Sequence, residues 1–421
     1  MHPPLQNWAG NHEFSFAALI EVTTTDEVVA AMAGSAPVKA LGSRHSFNTI
    51  ADCSGTMITI DASRPAIHLN SVDHTVTVSG GARYGDVGAA LQAQGFALPN
   101  LASLPHISVA GASATGTHGS GNTNPILASS VTRLELVTAD GEVLQFSRTD
   151  DPDVFPGLVV NLGALGVVTS LTLDVIPAFA VRQHVYERLP FDAVRSNFNE
   201  IMSSAYSVSL FTDWRTPEFT SVWRKVRVGE VDRHDPAQPF FGAPPATEHV
   251  HPLPGLDALP CTPQLGDPGP AYERLPHFRM AFTPSSGDEL QSEYLLPREC
   301  AIEAIDALWS LQQRISALVL VGEVRTVAAD SFWMSPCHGR DSVALHFTWK
   351  PDWRSVRELL PDIEQALAPF TPRPHWGKLF TMASDDVRRC YPQLPRFVEL
   401  ARQLDPAGRF RNTFLDEIVL S

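Results

Sequence analysis

Two late segments carry acid, base and hydroxyl side chains at strand spacing. In "GEVRT", Glu323 and Arg325 are two apart, and in "LHFTW" so are His346 and Thr348. Side chains two apart on a strand project to the same face. If the two strands are neighbours, these four make a polar wall on an otherwise apolar sheet. Charged groups are costly to take out of water, so such a wall suits a ligand; the alternative is a solvated face with ordinary ion pairing. Downstream, "RPHWGKLF" adds His375 and Lys378 after a proline-rich turn, where a lone lysine indicates only exposure. A further candidate is His45 in "LGSRHSFNTIAD", Leu41–Asp52, in a turn between an apolar strand and a polar loop. There an imidazole can be a ligand, a base, a covalent anchor or a plain surface residue.

The elements that must position these groups divide the chain. The first ~180 residues read as short strands broken by glycine turns, from period-two alternation in "TMITID" and "HTVTVSGG". "YGDVGAALQAQGFAL" has helical spacing with a stop at Gly95, and "VTRLELVTADGEVLQF" is a hairpin around Asp140-Gly141. Between them, "SLPHISVAGASATGTHGSGNTN", Ser103–Asn124, is nearly all small residues. It packs a poor core but lets backbone amides approach a ligand closely, so it reads as a cradle rather than a flexible loop. In the second half, "AYSVSLFTDW", "SVWRKVRV", "LVLVGEVRTVAA" and "SVALHFTWK" read as strands, and "AIEAIDALWSLQQRI" and "VRELLPDIEQALAPF" as amphipathic helices. That mixture predicts an α+β domain with an antiparallel sheet. The proline-rich stretch from Pro236 to Pro276 reads as a long ordered loop.

Bulk properties exclude several classes. At 421 residues two domains are expected, and a net charge of −15 without a basic run argues against nucleic acid and anionic membranes as partners. The N-terminus lacks a signal-like pattern, and no apolar run approaches the roughly 18 residues of a membrane span. Five scattered cysteines without CxxC signal neither zinc nor a disulfide framework and fit a reducing cytoplasm; no metal site is expected. There is no GxGxxG opening a helix, no P-loop and no GxSxG elbow. His68, His74, His249 and His251 lie in polar or proline-rich contexts and are expected at the surface.

The chain resembles the alditol and xylitol oxidases of the vanillyl-alcohol-oxidase type, covalent FAD flavoproteins with a PCMH-type FAD-binding domain. The likeness runs from "NWAGN" through "GSRHSFN", "LPHISVAGASATGTHGSG", "ELVTADG" and "LGALGVVTSLTL". It continues through "AYSVSLFTDWR", "RLPHFRMAFTPSSGDELQSEYLLPRE", "EVRTVAAD", "HFTW", "RPHWGK" and "LDPAGRF". The first-half motifs are common among such flavoproteins; the last group is narrower and points to polyols. The resemblance implies a two-domain α+β flavoprotein, with residues 1–180 binding FAD and 181–421 forming the substrate (cap) domain, its antiparallel sheet flanked by helices. The segment from about 375 to 421 is one that can return to the first domain.

By the same resemblance, His45 is the covalent 8α-histidyl anchor of the flavin. Leu41, Gly42, Ser43, Arg44, His45, Ser46 and Phe47 wrap the pyrophosphate. Ser103, Ser108, Gly111, Ala114, Thr115, Gly116, Thr117, His118, Val167 and His375 line the flavin, and Ser103, Glu323, Arg325, Thr348 and Lys378 face the substrate. Relatives can carry glycine before the histidine; arginine disfavours φ > 0, so the turn at Arg44 is expected to suit a side chain, with a charge near the phosphates. The implied reaction oxidises the terminal primary alcohol of an alditol of the xylitol and sorbitol class to the aldose, with hydride passing to flavin N5. Arg325 and Lys378 stabilise a developing alkoxide, and the proton acceptor is left open among Lys378, Arg325 as stabiliser, and His346 through a relay. Small Ala102 beside Ser103 favours oxygen as acceptor and hydrogen peroxide as product. The partners expected are polyol and oxygen, for a monomeric cytoplasmic enzyme. The alternative is a sugar-1,4-lactone oxidase or dehydrogenase of the same superfamily.

Overall fold

A computed structural model describes residues 4–63, 65–282 and 288–420. Residues 283–287, inside the motif "RLPHFRMAFTPSSGDELQSEYLLPRE", lie outside the described part.

The alternating first-half segments build two small sheets. Ile67–Asn70, Thr75–Ser79, Val167–Asp174, Val131–Val137 and Val143–Ser147 form a five-stranded antiparallel sheet in that spatial order. Its Asp-Gly hairpin turns on Gly141 at φ +81°, the left-handed region that glycine enters without penalty. Ala18–Val22, Thr56–Ile60 and Val38–Ala40 make a three-stranded parallel sheet with Thr56–Ile60 at its centre. The helix Tyr84–Gln92 buries Val87 and Leu91 and stops before Gly95 at φ +79°. The small-residue stretch is no loose loop: it contains the short helix Val109–Ala114, with Val109, Ala112 and Ser113 buried.

The second half is an eight-stranded antiparallel sheet. Its order is Gly269–Pro270, Ala180–Pro190, Glu218–Arg227, Ser207–Thr212, Val319–Val327, Ser342–Trp349, Leu290–Pro297 and Arg373–Pro374. Its apolar face buries Val324, Leu345, Phe347 and Trp349. The helices Ala301–Trp309, Gln312–Leu318 and Trp353–Leu367 cover that face through Ile305, Ile315, Leu360 and Ile363. Phe347 stacks between Trp214 and Trp349 at 5.9 and 4.8 Å. The expected single helix in "AIEAIDALWSLQQRI" is two, broken at Ser310–Leu311, where Ser310 Oγ turns back on the Ala307 carbonyl.

The proline-rich stretch crosses the sheet with Phe240 buried against Tyr186 at 5.2 Å. It also overturns one expectation. His251 is buried, tilted against Phe278 at 5.6 Å, because its Nδ1 accepts from Leu253 N at 3.0 Å and so closes a local turn. The C-terminal segment packs on the first-half sheets: Phe410 joins Val22, Val28 and Val137, and Arg409 donates to the carbonyls of Ala36 and Met32 at 3.1 and 3.0 Å. Asn412 Nδ2 donates to Ile50 and Asp52 carbonyls at 3.0 and 2.9 Å. Among the described residues no helix is long and apolar enough to cross a membrane.

Candidate active site

The two late strands are neighbours, and Glu323 pairs in register with His346. On the other side His346 pairs with Glu293 of Leu290–Pro297. Period two therefore sets Glu323, His346 and Glu293 in one row on the same face, with Arg325 and Thr348 two residues along their strands. This polar face looks into a cleft of about 760 Å³, lined also by the cradle and by the His45 loop.

Lys378 arrives from a loop that continues the edge of the sheet. His375 N donates to Glu293 O at 2.9 Å, and Leu379 N to Gln291 O at 2.8 Å. The His45 loop is tied to the same segment. Phe47 N donates to Gly377 O at 2.7 Å, and Asn48 Nδ2 donates to the carbonyls of Trp376 and Lys378, both at 2.8 Å. Through these bonds His45 and Lys378 are held in fixed relation across the cleft.

Glu293 is the hub of the wall. Its Oε1 accepts from Arg325 Nη2 at 2.7 Å and stands 3.5 Å from His118 Nε2; its Oε2 accepts from Lys378 Nζ at 2.7 Å. Arg325 reaches on to Ser103 Oγ at 3.2 Å, and its Nε lies 3.5 Å from Glu323 Oε1. Lys378 Nζ also meets His346 Nδ1 at 2.9 Å, and His346 Nε2 meets Thr348 Oγ1 at 3.0 Å. Burial, reinforced by the Lys378 charge, pushes the His346 pKa down to about 3. His346 is thus neutral, accepts from Lys378 at Nδ1 and donates to Thr348 from Nε2. The Thr348 hydroxyl proton is left free to turn toward the cleft.

The charges hold one another. Burial would raise the pKa of Glu293, but Lys378, His118 and Arg325 keep it well below the carboxylate range. Glu323 is likewise held down against burial by Arg325 and His277. Lys378 is lowered by burial, with Glu293 opposing and the Arg325 charge adding to the depression. Its two acceptors, Glu293 Oε2 and His346 Nδ1, take two of its N–H bonds. Once its third proton is released, the lone pair takes that remaining position on a side chain that lines the cleft, which is what a base needs.

The far side carries the His45 loop. Its ring lies over Trp8 at 5.5 Å and 19°, and neither ring nitrogen has a hydrogen-bond partner although both are buried. Burial, with His106 adding, lowers its pKa to about 4, so the ring is neutral. An unpartnered neutral imidazole on a cleft wall fits a group bonded to it. The adjoining cradle is locked by Ser108 N donating to Ser43 Oγ at 3.0 Å. A Cβ on Gly42 would stand 2.6 Å from Ser108 Oγ, so a side chain there would displace the hydroxyl that faces Ser43. The residues present therefore fit the expected flavin.

Most of the residues expected at the site line this cleft: Leu41–Phe47, Ala102, Ser103, Ser108, Gly111, Ala114, Thr115, Thr117, His118, Glu323, Arg325, His346, Thr348, His375 and Lys378. Three expectations change. Val167 points into the core with Val22, Val28 and Phe410, since strand alternation gives the cleft to Val168 instead. Gly116, at φ +67°, turns the chain behind the cradle, where a Cβ would meet Pro336 at 2.9 Å. Arg44 adopts φ +62°, the left-handed conformation thought unsuited to it, and its exposed side chain reaches Gln6 O at 3.5 Å. Its carbonyl accepts from Trp8 N at 2.8 Å, and this bond helps hold the turn.

Two functional groups escaped the sequence reading. Glu293 was available from alternation in "LQSEYLLP", which sets it on the face of Gln291. His277 comes from the irregular "LPHFRM", where no periodicity operates; its Nε2 meets Glu323 Oε1 at 2.9 Å.

A model described as FAD binding domain matches residues 16–147, and one described as D-arabinono-1,4-lactone oxidase matches residues 287–418. The chain is 48% identical to the alditol oxidase of a Streptomyces species, over 100% of both chains. It is 29% identical to L-gulono-1,4-lactone dehydrogenase of Mycobacterium tuberculosis, again over 100% of both. The crystal structure of cholesterol oxidase from B. sterolicum superposes with a TM-score of 0.77, covering 99% of this chain and 96% of that one. At 16% identity that likeness concerns the fold alone.

Proposed function

The chain belongs to the alditol oxidase family of FAD-dependent oxidoreductases, and from that premise we propose that it oxidises the terminal primary alcohol of open-chain alditols of the xylitol and sorbitol class to the aldose, with oxygen as acceptor and hydrogen peroxide as product. The observation that carries the reading is the wall itself. Glu293, Glu323, Arg325, His346, Thr348 and Lys378 bring alternating donors and acceptors to one buried face. A polyol offers a hydroxyl at every carbon and no charge, so it is recognised by hydrogen bonds alone. A site of this kind rejects analogues that lack a hydroxyl, because its own buried polar groups go unpaired.

FAD, when bound, supplies the two-electron acceptor for the carbinol hydrogen. His45 holds it covalently in this reading, with Gly42, Ser43, Ser46, Ser108 and Gly111 lining its path. Lys378, with two N–H bonds committed to Glu293 and His346, takes the proton of the reacting hydroxyl on its lone pair after its own third proton has left. Arg325, paired to Glu293 and anchored on Ser103, offers its charge to the oxygen as the proton leaves. Thr348, oriented by His346, and Glu323 hold neighbouring hydroxyls. Ala102, buried and small on the cleft wall, leaves room for oxygen.

A second reading, oxidation of a sugar 1,4-lactone, is favoured by the match over residues 287–418. Peroxide formation on a panel of polyols and lactones separates the two. The covalent linkage has its own test: acid-precipitated protein is expected to stay yellow, supported by the two unpartnered His45 nitrogens. A colourless pellet with free FAD in the supernatant refutes it. A monomer in the cytoplasm completes the proposal, in keeping with five free cysteines.

A further inference from the structure

Beside the wall, on the same face of the sheet but outside the cleft lining, lies a lysine that the reaction does not use. Lys225, on Glu218–Arg227, is fully buried. Its Nζ donates to the carbonyl of Leu275, to that of Pro276 at 3.3 Å, and to His277 Nδ1 at 3.0 Å. His277 bridges Lys225 to the substrate wall, since its Nε2 meets Glu323 Oε1 at 2.9 Å. Phe211 and Trp223 clamp the imidazole edge-on at 5.5 and 5.1 Å, and its backbone N donates to Ser103 O at 3.0 Å. The ring cannot flip without breaking this packing.

We propose that Lys225 is a positioning residue of the polyol site: by donating to His277 Nδ1 it fixes His277 as a neutral donor through Nε2, and so leaves Glu323 a carboxylate free to accept from a substrate hydroxyl. This rests on the alditol reading of the wall. Glu323 is held ionised and can only accept, so the proton between them belongs to His277 Nε2. A neutral imidazole then offers Nδ1 as an acceptor, and Lys225 is the donor placed there. The charged and titratable groups facing the ring are Lys225 from one strand, Glu323 and Arg325 from another, and Cys261 beside Lys225 from the proline-rich loop. Burial, with the Lys225 charge adding, holds the His277 pKa at about 4, below the range in which an imidazole ordinarily titrates.

Removing Lys225 removes that restraint. In Lys225→Met, His277 faces Glu323 without an opposing cation, and its pKa rises from about 4 toward the range of about pH 5 to 8 in which an imidazole ordinarily titrates. An imidazolium there neutralises Glu323 and weakens its grip on the polyol. The kcat/KM profile of the variant is expected to gain a second acidic limb, on top of the one that protonation of Lys378 gives the wild type, adding roughly a further tenfold fall for each pH unit below the new ionisation. The loss should sit in KM, with the rate at saturating polyol nearly kept. In Lys225→Met/His277→Gln the second limb disappears, because glutamine donates to Glu323 without titrating. Nitrogen NMR of histidine-labelled, flavin-bearing wild type, with His277 identified by its loss in His277→Gln, should show the Nε2–H tautomer across this pH range. An Nδ1–H tautomer or an imidazolium near neutrality overturns the proposal, and so does a Lys225→Met profile that matches wild type. A wild type that leaves every polyol untouched defeats the functional reading, and the positioning role with it; wild-type turnover without the new limb in Lys225→Met defeats the positioning role alone.

Discussion

Replacing Lys378 with methionine slows the anaerobic bleaching of the flavin by xylitol by about 10²–10⁴-fold, the range for loss of a placed proton acceptor. Methionine keeps the length and apolar stem of lysine but has no lone pair of comparable basicity. The geometry makes the prediction specific. Lys378 Nζ spends two bonds on Glu293 and His346, at 2.7 and 2.9 Å. His346 is a poor substitute as base, because burial holds its pKa far below the ordinary imidazole value and its Nε2 stays on Thr348. The rate of the variant should recover partly as pH rises, when hydroxide or water takes over the proton. Bleaching at the wild-type rate would remove Lys378 from the proton-accepting role.

Glu293→Leu is expected to unfold the cleft rather than merely slow it. Glu293 is 1% exposed and receives both Arg325 and Lys378. Leucine leaves two buried cations without their shared anion, and breaking a buried pair from one side costs about 3–5 kcal/mol. Thermal unfolding of the variant should start well below that of the wild type, and the flavin should bleach more slowly even where the protein stays folded. Glu293→Gln tests the same point with the volume kept: its amide nitrogen must face either Arg325 or Lys378, donor against donor. A melting temperature equal to the wild type for both variants would mean that the cations are stabilised elsewhere.

The wall was legible because strand alternation is a local rule. "GEVRT" and "LHFTW" announce which side chains share a face, and the structure supplies the adjacency that the rule needs. The same rule would have delivered Glu293, had "LQSEYLLP" been placed third in the row. His277 was beyond it, because an irregular loop has no period and its role depends on three strands meeting. Val167 shows the converse error: a motif names a segment, but alternation decides that Val168 faces the cleft. Arg44 shows that a disfavoured backbone is adopted when surrounding bonds over-determine it. The Trp8 amide on its carbonyl and the Phe47 amide on Gly377 fix the turn from both sides. His251 differs for a related reason: a local turn closed on Leu253 N sets its ring against Phe278, a contact distant in sequence.

In this reading a buried wall recognises an uncharged chain of hydroxyls, and the electrons removed from it reach oxygen through the flavin. A peroxide assay on the purified protein, run over three- to six-carbon alditols and against sugar 1,4-lactones, tests this most directly. The account predicts oxygen-dependent peroxide with xylitol and sorbitol, strongest for the longer chains that occupy more of the wall, and little with lactones. Peroxide from lactones and none from alditols would contradict it.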